Sequence, residues 1–311
     1  MEQSLYFTHQ EVRDLAWVMA SPSLLAQSQT PYAGEKVSDD WCQQVYQNNL
    51  DWLLQLDDDP TPLQQWLKQN ESPLLGIYFE SLLAFWIAHL SDSELLARNL
   101  VVGEPGLQIG EFDLLFKDKG RDQIIHWEAA VKFYLRYGES DYQWLGPNPR
   151  DSLQQKLNKV FNRQLRLSEH AQAQQVLQAE LGRAQVISQA FIKGYLFYPY
   201  ATGWQTSNAI SPGVSSQHLR GWWCRHDEMV VRLRQQMDNT RRWLLPPRLE
   251  WLAPQVTMNN QALMHDGEMQ EYLSTYFSEH YQASMLVEMK NVDGIWQEIS
   301  RGFVVDQRWP K

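Results

Sequence analysis

Four charged residues lie close together in an otherwise apolar stretch between residues 110 and 135. Glu111 and Asp113 stand two apart in GEFDLLF, and Glu128 and Lys132 stand four apart in HWEAAVKFYL. The two stretches predict adjacent β-strands joined by a polar turn, so the residues of each pair share one face of their strand. A charge that is desolvated there is costly unless it is paired or bound to a metal. This segment is therefore the first candidate for a functional site.

Three carboxylates beside a lysine suit a divalent cation and a phosphate. Hard oxygen ligands favour Mg²⁺ or Mn²⁺. Such a metal polarises a phosphoryl oxygen and lowers the pKa of a bound water. A lysine among carboxylates is expected to stay protonated, so Lys132 suits stabilisation of charge on the phosphate better than the role of a base.

The elements around this segment change from helices to strands near residue 100. Residues 8–90 predict helices, among them one over residues 38–56 and one over residues 73–90, which carries Glu80 and is apolar nearly all round. The order expected for residues 73–198 is helix, three strands, helix and a strand over residues 184–198. Further along, residues 248–253 predict a strand, residues 266–281 a helix, and residues 285–305 a hairpin.

The helix predicted over residues 152–170 carries a row of cations. Lys156, Lys159, Arg163 and Arg166 recur at spacings of three and four. A phosphate backbone needs such local positive charge, so the row predicts contact with nucleic acid. The alternative is a solvated helix face that pairs with acidic neighbours.

The composition of the whole chain limits the possible function classes. The chain has 311 residues, a formal net charge of −10 and two cysteines, Cys42 and Cys224. This charge argues against bulk electrostatic attachment to nucleic acid or to an anionic membrane. The distant cysteines favour a reducing cytoplasm. The first residues lack the pattern of a signal peptide, and the apolar stretch around Glu80 indicates a buried helix rather than a membrane span.

These residues and the order of the elements resemble the PD-(D/E)XK nuclease superfamily. GEFDLLF, HWEAAVKFYL, the GPN before the basic helix, WLAP and RGFVV are together similar to an uncharacterised bacterial family of unknown function placed within that superfamily. The resemblance implies an α/β protein with a restriction-endonuclease-like αβββαβ core over residues 73–205. An N-terminal helical segment over residues 1–72 would precede this core, and a C-terminal α/β extension over residues 206–311 would pack on it.

The resemblance also implies an activity, namely metal-dependent hydrolysis of phosphodiester bonds in DNA or RNA. Carried over residue by residue, Asp113 and Glu128 bind Mg²⁺ (or Mn²⁺), and Lys132 is the catalytic lysine. Glu80 matches an acid often found on the first helix, and Glu111 is a further possible metal ligand. The alternative is a catalytically inactive protein of the same fold that binds nucleic acid or another protein.

Ala130 is the residue at which the chain departs from the superfamily pattern. That pattern puts the acid two residues before the lysine, whereas Glu128 lies four residues before Lys132. In a regular strand four residues span about 13 Å and two span about 6.6 Å. A bulge in the strand, or Glu111 as second carboxylate, would compensate for the alanine. Without either, the site binds metal weakly or is inactive.

Simpler interpretations exist for each charged residue. Glu128 and Lys132 have the spacing of a helical ion pair, and Glu111 and Asp113 could face solvent on an edge strand. Glu80 could be a buried acid that its neighbours satisfy. His126 is expected on the opposite strand face from Glu128, with a structural role.

Overall fold

The computed structural model describes residues 7–26, 35–104, 106–138, 143–183, 185–206, 213–235, 238 and 240–311. These residues form a mixed α/β protein around an 11-stranded sheet. The predicted strand over residues 184–198 begins at Ala184, which lies outside the described residues; the strand itself is present from Ile187.

The α-helices in the described residues are α1 (Gln10–Ala20), α2 (Asp39–Asn48), α3 (Leu50–Asp58), α4 (Thr61–Gln69), α5 (Leu75–His89), α6 (Leu153–Lys159), α7 (Ala171–Leu181), α8 (His226–Gln235) and α9 (Asp266–Glu279).

The strands are β1 (Glu35–Lys36), β2 (Ser93–Glu104), β3 (Leu107–Asp118), β4 (Gln123–Tyr137), β5 (Gln143–Leu145), β6 (Ile187–Pro199), β7 (Leu219–Arg225), β8 (Arg241–Leu244), β9 (Val256–Thr257), β10 (Ser284–Val292) and β11 (Ile295–Val305).

The sheet runs in the order β2-β3-β4-β6-β7-β11-β10-β8, and the short strands β1, β5 and β9 pair with β6, β4 and β11. Strands β2, β3 and β4 are antiparallel neighbours. Strands β4, β6, β7 and β11 are parallel neighbours, and β10 and β8 continue the sheet antiparallel. The C-terminal strands therefore extend the same sheet that carries the charged segment.

Helices cover both faces of the central strands. Along β6, Phe191 and Tyr195 belong to a cluster that includes residues of α1 and α5, whereas Ile192 and Leu196 belong to a second cluster that includes residues of α6. Apolar residues on both faces are typical of a parallel strand buried between two layers.

Strand β4 follows the same alternation and thereby fixes where its charged residues lie. Trp127 belongs to the cluster on the α1 and α5 side, and Ala130 and Tyr134 belong to the cluster on the α6 side. Glu128 and Lys132 share the parity of Ala130, so they lie on the face that α6 covers. The helical ion-pair interpretation of these two residues is therefore wrong.

The structure confirms several of the predicted helices and strands, and others differ from the prediction. For residues 73–198 the expected helix, three strands, helix and strand are present, with short β5 and helix α7 in addition. The helix predicted over residues 38–56 is two helices, because the chain bends at Asn49. The strand predicted over residues 248–253 is wrong, since Arg248–Glu250 form a 3₁₀ turn. The helix predicted over residues 152–170 ends as α6 at Lys159 and continues as a π-helical turn, Val160–Gln164.

Gly194 fixes the approach of β6 to β4. It pairs with Lys132, its φ is +141°, and a Cβ there would overlap the carbonyl oxygen of Lys132. Only glycine allows this backbone conformation and this approach without strain.

We expect Gly194→Ala to lower the free energy of unfolding by at least about 2 kcal/mol, because it adds backbone strain and a steric overlap. The matched control is Gly76→Ala in α5, where nothing lies within 4 Å of the added Cβ and alanine favours the helix. Urea unfolding of both variants measures the difference. Equal unfolding midpoints would contradict this role for Gly194.

Candidate active site

Strands β3 and β4 separate at the charged segment. Their pairing runs from Asp118 and Gln123 to Leu114 and Trp127. One residue further on, Asp113 Oδ2 accepts the backbone N–H of Ala129 at 2.9 Å. The side chain of Asp113 thus takes the place of a strand partner at the point where β3 leaves β4, and it satisfies a donor that the sheet no longer pairs.

Glu128 is the buried carboxylate of the site. It is 1% exposed, and its Oε1 lies 3.2 Å from Lys156 Nζ. Its Oε2 has no hydrogen-bond partner among the described residues. A buried oxygen without a partner is rare and calls for a physical explanation, such as an ion or a catalytic role.

Burial and, after it, the charge of Asp113 together raise the pKa of Glu128 to about 8, against the opposing effect of Lys156. Burial likewise raises the pKa of Asp113, although the Ala129 N–H opposes that shift. The two carboxyl groups therefore behave as one coupled pair, which retains a proton more strongly than an isolated carboxylate.

The lysine that contacts Glu128 is Lys156 of α6. Lys132 Nζ instead lies 2.8 Å from Asp151 Oδ2, and the Tyr134 hydroxyl lies 3.4 Å from the other oxygen of Asp151. The pairing of β4 with β6 is continuous from Ile125 to Leu135, so no bulge in that pairing brings Lys132 back towards Glu128. Lys132 ties β4 to the segment that enters α6.

Two further carboxylates reach the same region. Burial and, after it, the charges of Asp113 and Glu111 together raise the pKa of Glu80 on α5 to about 7. Glu111 Oε2 accepts a hydrogen bond from Gln108 Nε2 at 3.3 Å. The structure thus places Glu80 and Glu111 within electrostatic range of Asp113.

A cavity of about 440 Å³ opens where β3 leaves β4. Glu111 and Asp113 line one side, and Lys159 and Arg163 line the other. The solvent-facing interpretation of Glu111 and Asp113 does not hold, because both are only partly exposed and line this cavity.

The π-helical turn alters the predicted row of cations. The N–H of Leu165 bonds to the carbonyl of Val160 at 2.9 Å, five residues back, and such turns are frequent at functional sites. Lys156 is held on Glu128, and Lys159 and Arg163 line the cavity, whereas Arg166 lies outside the lining. The four cations therefore do not form one surface stripe.

Sequence reasoning missed two partners and misplaced one residue. It assigned Lys156 to a nucleic-acid surface and did not consider Arg98, whose charge lowers the pKa of Glu80 and whose Nη2 donates to Ser81 Oγ at 2.9 Å. His126 lies on the same strand face as Glu128, not on the opposite face. Its Nδ1 lies 3.1 Å from Ser188 Oγ, and burial lowers its pKa to about 3, so it is neutral.

The carboxylates of the site can be compared with the ligands that a metal ion requires. Within the described ranges, no group of three or more His, Cys, Asp and Glu residues is arranged to hold a metal ion. Mg²⁺, however, is commonly bound by one or two carboxylates together with waters and substrate phosphates. The paired carboxyls of Asp113 and Glu128, with the free Oε2, fit a cation of that kind and not one enclosed by protein ligands alone.

Fold and site together define a mixed α/β protein in which a buried carboxylate, Glu128, and the partly exposed Asp113 lie beside a lysine. The chain belongs to the family described as domain of unknown function, DUF1853, whose profile matches residues 13–305. No curated protein and no solved structure matches the chain. Among the described residues, no helix is both long and apolar enough to cross a membrane.

The raised pKa of Glu128 predicts a pH-dependent stability. A carboxyl whose pKa is higher in the folded protein than in the unfolded chain binds its proton more tightly when folded. The stability that this proton gives to the folded protein is fully present below the unfolded pKa of about 4.3. It is lost as the pH rises through the folded pKa of about 8. In EDTA, we expect the free energy of unfolding to fall across this window by up to about 1.4 kcal/mol per pH unit.

The Glu128→Gln variant should flatten this fall, because the amide does not titrate. Glu180→Gln on the exposed face of α7 is the matched control and should keep the slope of the wild type. Chemical unfolding between about pH 5 and pH 8 measures all three proteins. Identical slopes for the wild type and Glu128→Gln would contradict the prediction.

Proposed function

We propose that this chain is a metal-dependent phosphodiesterase that acts on nucleic acid, with the restriction-endonuclease-like core of the PD-(D/E)XK superfamily. The observation that carries the proposal is the buried Glu128, which couples to Asp113, contacts Lys156 and keeps one oxygen free. The order of α5, the strands β2 to β4, the helices α6 and α7, and β6 supports the same assignment.

Asp113 and Glu128 are the residues that would hold Mg²⁺ or Mn²⁺. When bound, such a metal polarises a phosphoryl oxygen and lowers the pKa of a water. The Ala129 N–H fixes the orientation of the Asp113 carboxylate. Lys156, a cation held at the pair, stabilises the negative charge that develops on the phosphate.

In this proposal the lysine comes from α6, not from β4. Lys156 supplies the charge, and Lys132 acts as a positioning residue, because its ion pair with Asp151 holds the chain just before α6 begins. The alanine at position 130 then removes no necessary group, since neither the acid nor the lysine of the site depends on that position.

A second candidate function is a binding protein of the same fold without catalysis. The lack of a third metal ligand among the described residues favours it. Such a protein would use Lys159 and Arg163 at the cavity to contact phosphates and would not need the carboxylate pair.

The catalytic roles are tested by hydrolysis of labelled single-stranded and duplex DNA and RNA with Mg²⁺ or Mn²⁺. We expect Asp113→Asn and Lys156→Ala each to lower kcat by at least about a hundredfold, because each removes charge stabilisation in the transition state. Lys132→Ala should lower thermal stability more than it lowers kcat.

Two results would overturn these assignments. Hydrolysis that survives Asp113→Asn would remove the proposed activity from this site. Hydrolysis that survives Lys156→Ala and is abolished by Lys132→Ala, in a variant that stays folded, would return the catalytic role to Lys132.

The cavity cations are tested separately from catalysis. Arg163→Glu should weaken binding of an oligonucleotide in EDTA and reduce the salt dependence of its affinity by about one unit of slope, because it removes one phosphate contact. Arg166→Glu is the matched control with the same charge change outside the cavity. Fluorescence anisotropy at several salt concentrations measures both, and equal losses for the two variants would indicate only a general effect of net charge.

A further inference from the structure

The cavity beside Asp113 has a shape and a lining that the hydrolytic groups do not require. At about 440 Å³ it falls within the range of small-molecule pockets, about 300–1,000 Å³. One wall is the start of β3, from Gln108 to Asp113. The other wall is the π-helical turn and the 3₁₀ turn that follows it, Leu167–Glu169.

The chemistry of the lining is divided along this cavity. Lys159 and Arg163 carry positive charge, and the charge of Lys159 also acts on Glu128. Ile109 and Leu167 add apolar surface, and Gln108 and Gln164 add side-chain amides. Gln108 Nε2 donates to Glu111 Oε2 at 3.3 Å and Gln164 Oε1 accepts from Lys156 Nζ at 3.4 Å, so Gln108 Oε1 and Gln164 Nε2 are the amide groups that a ligand can use. The lining thus combines two cations and two carboxylates with apolar and amide groups of the kind that read a base.

Gly110 makes the apolar part possible. A Cβ at this position would lie 2.8 Å from Leu167 Cδ1, so Leu167 packs directly against the strand backbone. Leu167 is buried and forms an apolar wall of the cavity.

Because of these features, we infer that the cavity accepts one nucleotide of a single-stranded nucleic acid, with its phosphate towards Lys159 and Arg163 and its base against the apolar surface of Ile109 and Leu167. The inference rests on the proposed function and specifies its substrate. A base paired within a duplex cannot enter such a space unless it is first extruded. The amides of Gln108 and Gln164 are placed to contact the edge of the base.

The strandedness test compares one oligonucleotide as a single strand and as a blunt duplex, with Mg²⁺ and the full chain. We expect kcat/KM for the single strand to exceed that for the duplex by about tenfold or more, because the duplex must unpair before a base can enter. A duplex cleaved equally well, with loss of that cleavage in Asp113→Asn, would overturn the inference and leave the proposed function intact.

The position of the inserted base is tested on the substrate, which avoids any effect on protein folding. A series of single strands, each with one abasic nucleotide, is cleaved under the same conditions. We expect one position next to the cut to lower kcat/KM by about tenfold, since base contacts in such pockets contribute at this level. A uniform response along the strand would overturn the inserted-base arrangement.

The contribution of Gln108 to the pocket is tested by binding of the same single strand in EDTA. Gln108→Leu should weaken the affinity by about fivefold, because an amide hydrogen bond is lost, whereas the matched change Gln175→Leu on the exposed face of α7 should have no effect. Equal affinities of the two variants would count against the pocket. Binding that depends on Gln108, without hydrolysis of any substrate, would support the pocket and overturn the proposed hydrolysis.

Discussion

The burial of Glu128 is the constraint on which the arrangement of the site depends. Strand β4 is covered by apolar clusters on both faces, so a carboxylate at 1% exposure must be compensated within the protein. The compensation comes from Lys156, which reaches Glu128 from a helix 28 residues further along the chain. Because this ion pair joins β4 to α6, it also fixes the start of the π-helical turn and thereby the position of Arg163 at the cavity.

The separation of β3 from β4 places Asp113, which lines the cavity, next to the buried Glu128. In a continuous sheet, the backbone N–H of Ala129 would pair with β3. Instead the carboxylate of Asp113 accepts that N–H, and β3 continues with β2 as its partner at Glu111. The side chain of Asp113 thus replaces the lost backbone partner, so the N–H of Ala129 stays satisfied, and Asp113 also lines the cavity together with Glu111.

The sequence predicted local patterns well and long-range contacts poorly. Alternation along residues 123–137 correctly placed Glu128, Ala130 and Lys132 on one face, and the turn between β3 and β4 followed from its polar residues. The partner of Glu128 could not be predicted, since it depends on how α6 crosses the sheet. The spacing of Lys156, Lys159, Arg163 and Arg166 suggested one helix face, but the π-helical turn changes the angle between successive side chains, and no local propensity signals such a turn.

The energetic cost of the carboxylate pair bears on which of the two proposed functions is preferred. One buried and one partly buried carboxyl beside one lysine are less stable than an apolar substitute of equal volume would be, and a protein that only binds phosphate gains nothing from them. Burial is the main cause of the raised pKa values of both carboxyls, and the charge of Asp113 adds to it for Glu128, so the pair retains a proton when no cation is present. A divalent cation would displace that proton and stabilise both carboxylates through its own charge. The presence of this pair beside a cavity that Lys159 and Arg163 line therefore favours the hydrolytic proposal over a purely binding role.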